Sequence, residues 1–290
     1  MKDKLYKISN FKNIDPFLMS ITSADNHWMY LSSSGCLSAG RQKAEHALFP
    51  YVTDDLLHKN AHFTGPVTCI STDLDNKKYS WQPFSDQIDN YKKDQNLYKN
   101  SLGNRIVFEE INHTLGLTFL YSWQASTKYG FVKKTKLLNH SGKELYVKVI
   151  DGLRNILPAG VNLRTQQEMS NLANAYKVSE GNSDYNYALY YMNALLMDKP
   201  DPGESLFSNI VWSCSNENIE LSVNEKSIST FLSNHYFEKD HLLKGKEGSF
   251  LNYIHKPLLP DHEIIWYIIA DVQKSQSDIS AIISNLKGND

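Results

Sequence analysis

The sequence is short of cysteine, of long apolar runs and of any surplus of one charge. Its three cysteines, at 36, 69 and 214, are odd in number and widely spaced, with no Cys-x-x-Cys pair. That pattern excludes a disulfide framework and points to a reducing, cytoplasmic setting. The most apolar stretch, Glu263 to Val272, is too short to span a bilayer and reads as a buried strand. The opening MKDKLYKISNFKNIDPF lacks the apolar segment of a secretory signal. Basic and acidic residues nearly balance, 30 against 32, so nothing builds a cationic footprint for nucleic acid or for a membrane surface. Phosphate-loop and dinucleotide glycine patterns are absent, as is the G-x-S-x-G nucleophile phrase, and no cofactor is expected.

What is present favours β structure. The 290 residues are 41% hydrophobic and 12% aromatic, with 17 Tyr, 12 Phe and 5 Trp, which suits half-buried sheet faces and sugar-contacting surfaces alike. Short β-branched and aromatic runs recur at 64–73, 104–114, 115–127, 131–141, 144–157, 173–180 and 187–197. A hairpin is expected about Thr114-Leu115-Gly116. A second is expected between 131–141 and 144–157, turning at Asn139-His140-Ser141-Gly142. In it Phe131, Lys133, Thr135 and Leu137 share one phase, Leu145, Val147 and Val149 another, and Lys133, Lys134 and Lys136 suggest a partly solvated face. Helical signals are few. Asn162 to Asn174 is the best, with Thr165 as cap and Glu168 completing a capping box; Ser275 to Leu286 is the other, capped by Ser277 or Asp278. Asp73 to Gly103 reads as a polar surface excursion, and Asp198 to Gly203 as a loop. The expectation is an all-β fold of two large stacked antiparallel sheets with one or two short helices, forming a single domain over 1–290.

One stretch departs from ordinary strand sequence. Ser23 to Asp55 (SADNHWMYLSSSGCLSAGRQKAEHALFPYVTDD) holds a Trp-x-Tyr pair, a small-residue turn, an Arg and an aromatic-Pro corner. It resembles the opening of the N-terminal β-sandwich domain in the cellobiose-phosphorylase-like family, glycoside hydrolase family 94 and its relatives. Arg41, Leu48, Pro50, Tyr51, Asp54 and Asp55 fall where that pattern places them, while Glu45 and His46 depart from it. The resemblance continues through Lys136-Leu-Leu-Asn-His-Ser-Gly142, the strand ending at Asp151-Gly152, and Gly245 to Val272 with its Leu259-Pro260-Asp261-His262-Glu263 turn. It implies an all-β supersandwich, galactose-mutarotase-like, as an N-terminal domain that precedes linker helices and an (α/α)6 barrel. The barrel supplies the general acid for phosphorolysis, hydrolysis or transfer at a glycosidic bond. This domain would pack on it, help form a dimer and shape one wall of the oligosaccharide site.

On that footing Trp28, Tyr30, Arg41, Glu45, His46, Asp54 and Asp55 are the candidate carbohydrate-facing set, because sugars need a flat aromatic face and planar hydrogen-bonding groups. The structural alternative has Arg41 pairing with Asp54 or Asp55 to pin a loop, with the aromatics in the core. A second functional alternative is a stand-alone aldose epimerase working through His140, or through His113 with Glu109 or Glu110. Adjacent residues on a strand point to opposite faces, so Glu109 and Glu110 are not a paired site. A non-catalytic carbohydrate-binding module is the third. The pairs His58/His62 and His235/His241 lack the partners of a metal site, and none is expected.

Overall fold

The computed structural model describes residues 4–75, 77–85, 90–194 and 206–288. Its strands form three sheets, of ten, five and four strands, and every pairing among the described residues is antiparallel. The ten-stranded sheet runs from an edge at Leu5–Ser9 through Lys93–Asn100, Arg105–Asn112, Leu117–Ser126, Gly130–Asn139 and Glu263–Ser275. It continues through Phe207–Ser215, Tyr187–Met192 and Lys177–Asn182 to Leu242–Lys244. The other nine strands make two sheets rather than the one expected: Gly65–Leu74, Leu145–Ile156 and Gly248–Leu258 form the heart of the five-stranded sheet, and residues 18–49 form the four-stranded one. Alternation along the strands sends Phe119, Tyr121 and Trp123, and likewise Val147 and Val149, into one apolar cluster that draws on all three sheets. The architecture is all-β, a sandwich of large antiparallel sheets with five short helices among the described residues.

The hairpin about Leu115 forms as the sequence predicts, with Arg105–Asn112 paired to Leu117–Ser126. The second expected hairpin does not. Gly130–Asn139 pairs with Leu117–Ser126 and Glu263–Ser275, whereas Leu145–Ile156 pairs with Gly65–Leu74 and Gly248–Leu258. The turn is therefore an arch that carries the chain from one sheet to another. Asn139 holds it: its amide donates to the carbonyls of Lys143 and Leu258 and its Oδ1 accepts from Ser141. The predicted phases were right and the pairing wrong, since facing sheets and paired strands bury the same alternation.

Lys133 is the other correction. It is fully buried and bonds both oxygens of Asp151 at 2.6 and 2.7 Å. Asp151 also accepts from Thr68 at 2.7 Å, Trp266 at 2.7 Å and Thr135 at 3.3 Å. Asp151 and Thr68 stand on the five-stranded sheet; Lys133, Thr135 and Trp266 stand on the ten-stranded one. A buried carboxylate so supplied ties the two sheets together. Burial draws the Lys133 ammonium below the ordinary lysine range, and the Asp151 charge opposes that.

Five short helices are present among the described residues. The region 162–174 is two helices, Leu163–Glu168 and Ser170–Asn174, and the cap is Asn162, whose Oδ1 accepts from the Thr165 amide at 2.8 Å. The last helix, Gln276–Lys287, is capped by Ser275, with Asp278 closing the capping box. Two further helices, Asp54–Lys59 and Lys226–Asn234, lack a clear sequence signal. The latter buries Ile228 and Phe231 on Cys69, Ile150, Leu251 and Tyr253, so it covers the outer face of the five-stranded sheet. The presumed excursion at 73–103 holds the strands Lys77–Trp81 and Lys93–Asn100, and Trp81 is in the core. The loop at 198–203 lies outside the described residues. Among them no helix is long and apolar enough to cross a membrane.

Lys133→Met keeps the side chain's bulk but strands the buried Asp151 carboxylate. The expected loss is about 3–5 kcal/mol of unfolding free energy, read from urea midpoints; a loss below about 1 kcal/mol would show that the pair does not tie the sheets.

Candidate functional site

The outward side chains of four neighbouring strands in the ten-stranded sheet enclose a groove of about 640 Å³. Register fixes its floor as cross-strand rows. One row sets Lys7, Tyr98, Val107, Ser122, Lys134 and Tyr267 side by side. The next sets Asn96, Glu109, Leu120, Lys136 and Ile265 in line, and Arg105 and Gln124 pair on the far side. Apolar side chains thus alternate with charged ones across a face that ordinary strand alternation leaves outside the core. Glu109 Oε2 accepts from the Tyr98 hydroxyl and the Asn96 amide, both at 2.8 Å. Burial and this carboxylate push the Tyr98 phenol up to about 12. Lys136 bonds both oxygens of Glu263 at 3.0 Å, while Lys134 Nζ lies 5.5 Å from the centre of the Tyr267 ring.

Glu109 and Glu110 stand on opposite faces of their strand. Glu110, next to Glu109, points inward, is fully buried, and accepts from Trp81, the Phe84 amide and Gln95 at 2.6 Å each. His140 lines the end of the groove, where its amide bonds the Gly116 carbonyl. It stands four residues along and two strands across from Glu109, roughly 16 Å between Cα atoms by standard sheet spacings. His113 is 2.9 Å from Asp94 and holds that carboxyl below its usual range.

The sequence-selected residues lie elsewhere and divide into three groups. Trp28, Tyr30 and Tyr51 gather on the four-stranded sheet, with ring centres 6.3 Å apart for Trp28 and Tyr30 and 5.6 Å for Trp28 and Tyr51. Trp28 lies across Gly40, where a Cβ would run into the indole. Tyr30 and Tyr51 are exposed, so this pair is not core as the structural alternative had it. Arg41 does act structurally, through other partners than expected. It bonds both Asp271 oxygens at 3.0 Å, Asp25 at 3.0 Å and Asn26 at 2.9 Å, clamping the four-stranded sheet to the last strand of the large one. It shares a cavity of about 420 Å³ with the half-buried His46. Asp54 and Asp55 open the helix Asp54–Lys59, where Asp54 pairs with His58 at 3.1 Å and Asp55 accepts from Thr53 at 2.6 Å. Glu45 is exposed. Among the described residues no cluster of three or more His, Cys, Asp or Glu has metal-binding geometry.

The groove was missed because strand order builds it. Arg105, Glu109, Gln124, Lys134 and Lys136 could be placed on outward phases, but nothing local sets the strand of Tyr267 beside that of Lys134.

A scan of protein-family models finds no match to this chain, and a search of curated proteins finds none. Among solved structures, the GalM/aldose epimerase homologue from C. elegans is similar at 9% identity and a TM-score of 0.47, over 90% of this chain and 100% of that one. A polysaccharide lyase is similar at 8% identity and 0.45, over 94% and 34%, and a kojibiose phosphorylase from the human microbiome at 10% and 0.40, over 95% and 28%. The chain thus spans about a third of the lyase and phosphorylase chains and the full length of the epimerase homologue.

His27, cross-strand from Arg41, titrates against this clamp. Burial first, then the Arg41 charge, lowers its pKa below 6.5, while Asp271 and Asp25 oppose. The unfolded chain therefore binds a proton more readily, and stability falls as pH drops through 6.5 toward the lowered folded value. The urea midpoint should fall between about pH 7.5 and 5.5, and fall less in His27→Gln; equal slopes would remove His27 from the account.

Proposed function

We propose that the chain is the β-supersandwich domain of a carbohydrate-active enzyme and binds an oligosaccharide along the outer face of the ten-stranded sheet. The observation that carries this is the groove of about 640 Å³, floored by aromatic, amide, guanidinium and carboxylate side chains in cross-strand rows. Flat rings meet sugar C–H faces, and planar polar groups meet paired hydroxyls. Its carboxylate, Glu109, is already engaged by Tyr98 and Asn96 and bonds no histidine, which favours binding over turnover by this chain. The groups that act in phosphorolysis, hydrolysis or transfer would then stand on another domain, of the (α/α)6 kind that the resemblance implies. The half-buried Trp28 and the exposed Tyr30 and Tyr51 would pack on that domain or on a second copy, with Arg41 holding their sheet in place.

The test is a titration of isotope-labelled chain with a panel of neutral and acidic oligosaccharides. Shifts should concentrate on strands Arg105–Asn112, Leu117–Ser126, Gly130–Asn139 and Glu263–Ser275, and Tyr267→Ala should weaken binding by about tenfold. Shifts confined to the Trp28 edge would move the site there. Anomer interconversion by the chain alone, lost in His140→Ala or His113→Ala, would replace this account with an epimerase.

A further inference from the structure

We infer that the groove is built for an anionic glycan, an oligosaccharide bearing uronate carboxylates, with Arg105 and Lys134 as the groups that read its charge. The inference rests on the glycan-binding reading of this face and adds the chemical class of the ligand.

Arg105 lines the groove half-buried, and its Nε is withdrawn from solvent with no acceptor. No carboxylate among the described residues pairs with its guanidinium. Its terminal nitrogens, which no carboxylate among the described residues engages, are the ones that a bound carboxylate can meet. Lys134 is in the same position: it has no carboxylate partner among the described residues, and its ammonium rests over Tyr267. Lys7, at the far end of the row, rests over Tyr98 in the same way, 5.5 Å from the ring centre. Lys136 differs, because Glu263 neutralises it. The groove's carboxylate, Glu109, is already engaged by two neutral donors.

Among the described residues the face therefore sets three cations free of ion pairs, Arg105, Lys134 and Lys7, against one carboxylate free of them, Glu109, in a chain whose net charge is −2. General basicity does not explain that pattern. Arg105 and Lys134 are two strands apart and two residues offset, about 12 Å between Cα atoms by sheet spacings. Such a span suits a chain carrying anions on more than one unit better than a single small anion. Arg105 offers the planar fork that grips a carboxylate through two hydrogen bonds. Lys134 offers a point charge beside the Tyr267 ring, where a sugar's C–H face can rest.

The experiment compares oligosaccharides of galacturonate, mannuronate and glucuronate, each beside its carboxyl-reduced counterpart, by calorimetric titration of the full chain. At least one acidic member should bind about tenfold tighter than its reduced partner, with the advantage shrinking as salt rises. Arg105→Gln and Lys134→Gln should each weaken the acidic member more than its reduced partner and so erode that advantage, with tryptophan fluorescence confirming the fold. Should either variant fail to fold, the salt dependence of the native chain still decides. Equal affinity for both members of every pair would overturn the inference and leave the glycan reading standing. Binding of neither member of any pair would overturn both.

Discussion

The Asp151 carboxylate is the interaction on which the rest of the structure depends. It is fully desolvated, and it draws donors from two sheets: Thr68 from its own, and Lys133, Thr135 and Trp266 from the opposite one. Hydrophobic burial brings two sheets together without fixing how they slide or rotate, because apolar contact is non-directional. Hydrogen bonds to one buried carboxylate are directional, and each is costly to leave unmade. Asn209 adds a second such point, its amide donating to the carbonyls of Ala47 and Leu157, and Arg41 a third, on Asp271 and Asp25. Three polar fastenings thus fix how the apolar layers sit on one another.

That alignment decides which faces are used. The outer face of the five-stranded sheet is closed by the helix Lys226–Asn234. The outer face of the ten-stranded sheet, between Arg105–Asn112 and Glu263–Ser275, carries the groove. Adjacent carboxylates display the division: Glu110 is consumed by the core, and Glu109 is presented to the groove, one residue apart on one strand. Sheet packing thereby leaves a broad polar surface outside the core.

Much of this was legible in the sequence at the level of phase. The burial of Phe131, Thr135 and Leu137 on one side, and of Leu145, Val147 and Val149 on theirs, follows from period two alone. Pairing was not legible, because the short turn at 139–142 reads the same for a hairpin and for an arch between sheets. The role of Lys133 was hidden for a related reason: its partner is eighteen residues away on another sheet, and a lysine on a strand reads as solvated until that partner is seen. The opening segment was informative about fold and less so about site. Of its aromatics Tyr30 and Tyr51 are exposed and Trp28 is half-buried, while Asp54 and Asp55 begin a helix and Arg41 reaches across to residue 271, beyond the range of any local pattern.

The central claim is that the outer face of the ten-stranded sheet is the ligand face. A crystal structure of the chain with a bound acidic oligosaccharide tests it most directly. The account predicts sugar rings lying across the row of Val107, Ser122, Lys134 and Tyr267, with a carboxylate at Arg105. Sugar seated instead at Trp28, Tyr30 and Tyr51, or in the cavity of about 320 Å³ beside Arg154 and Tyr121, would contradict it.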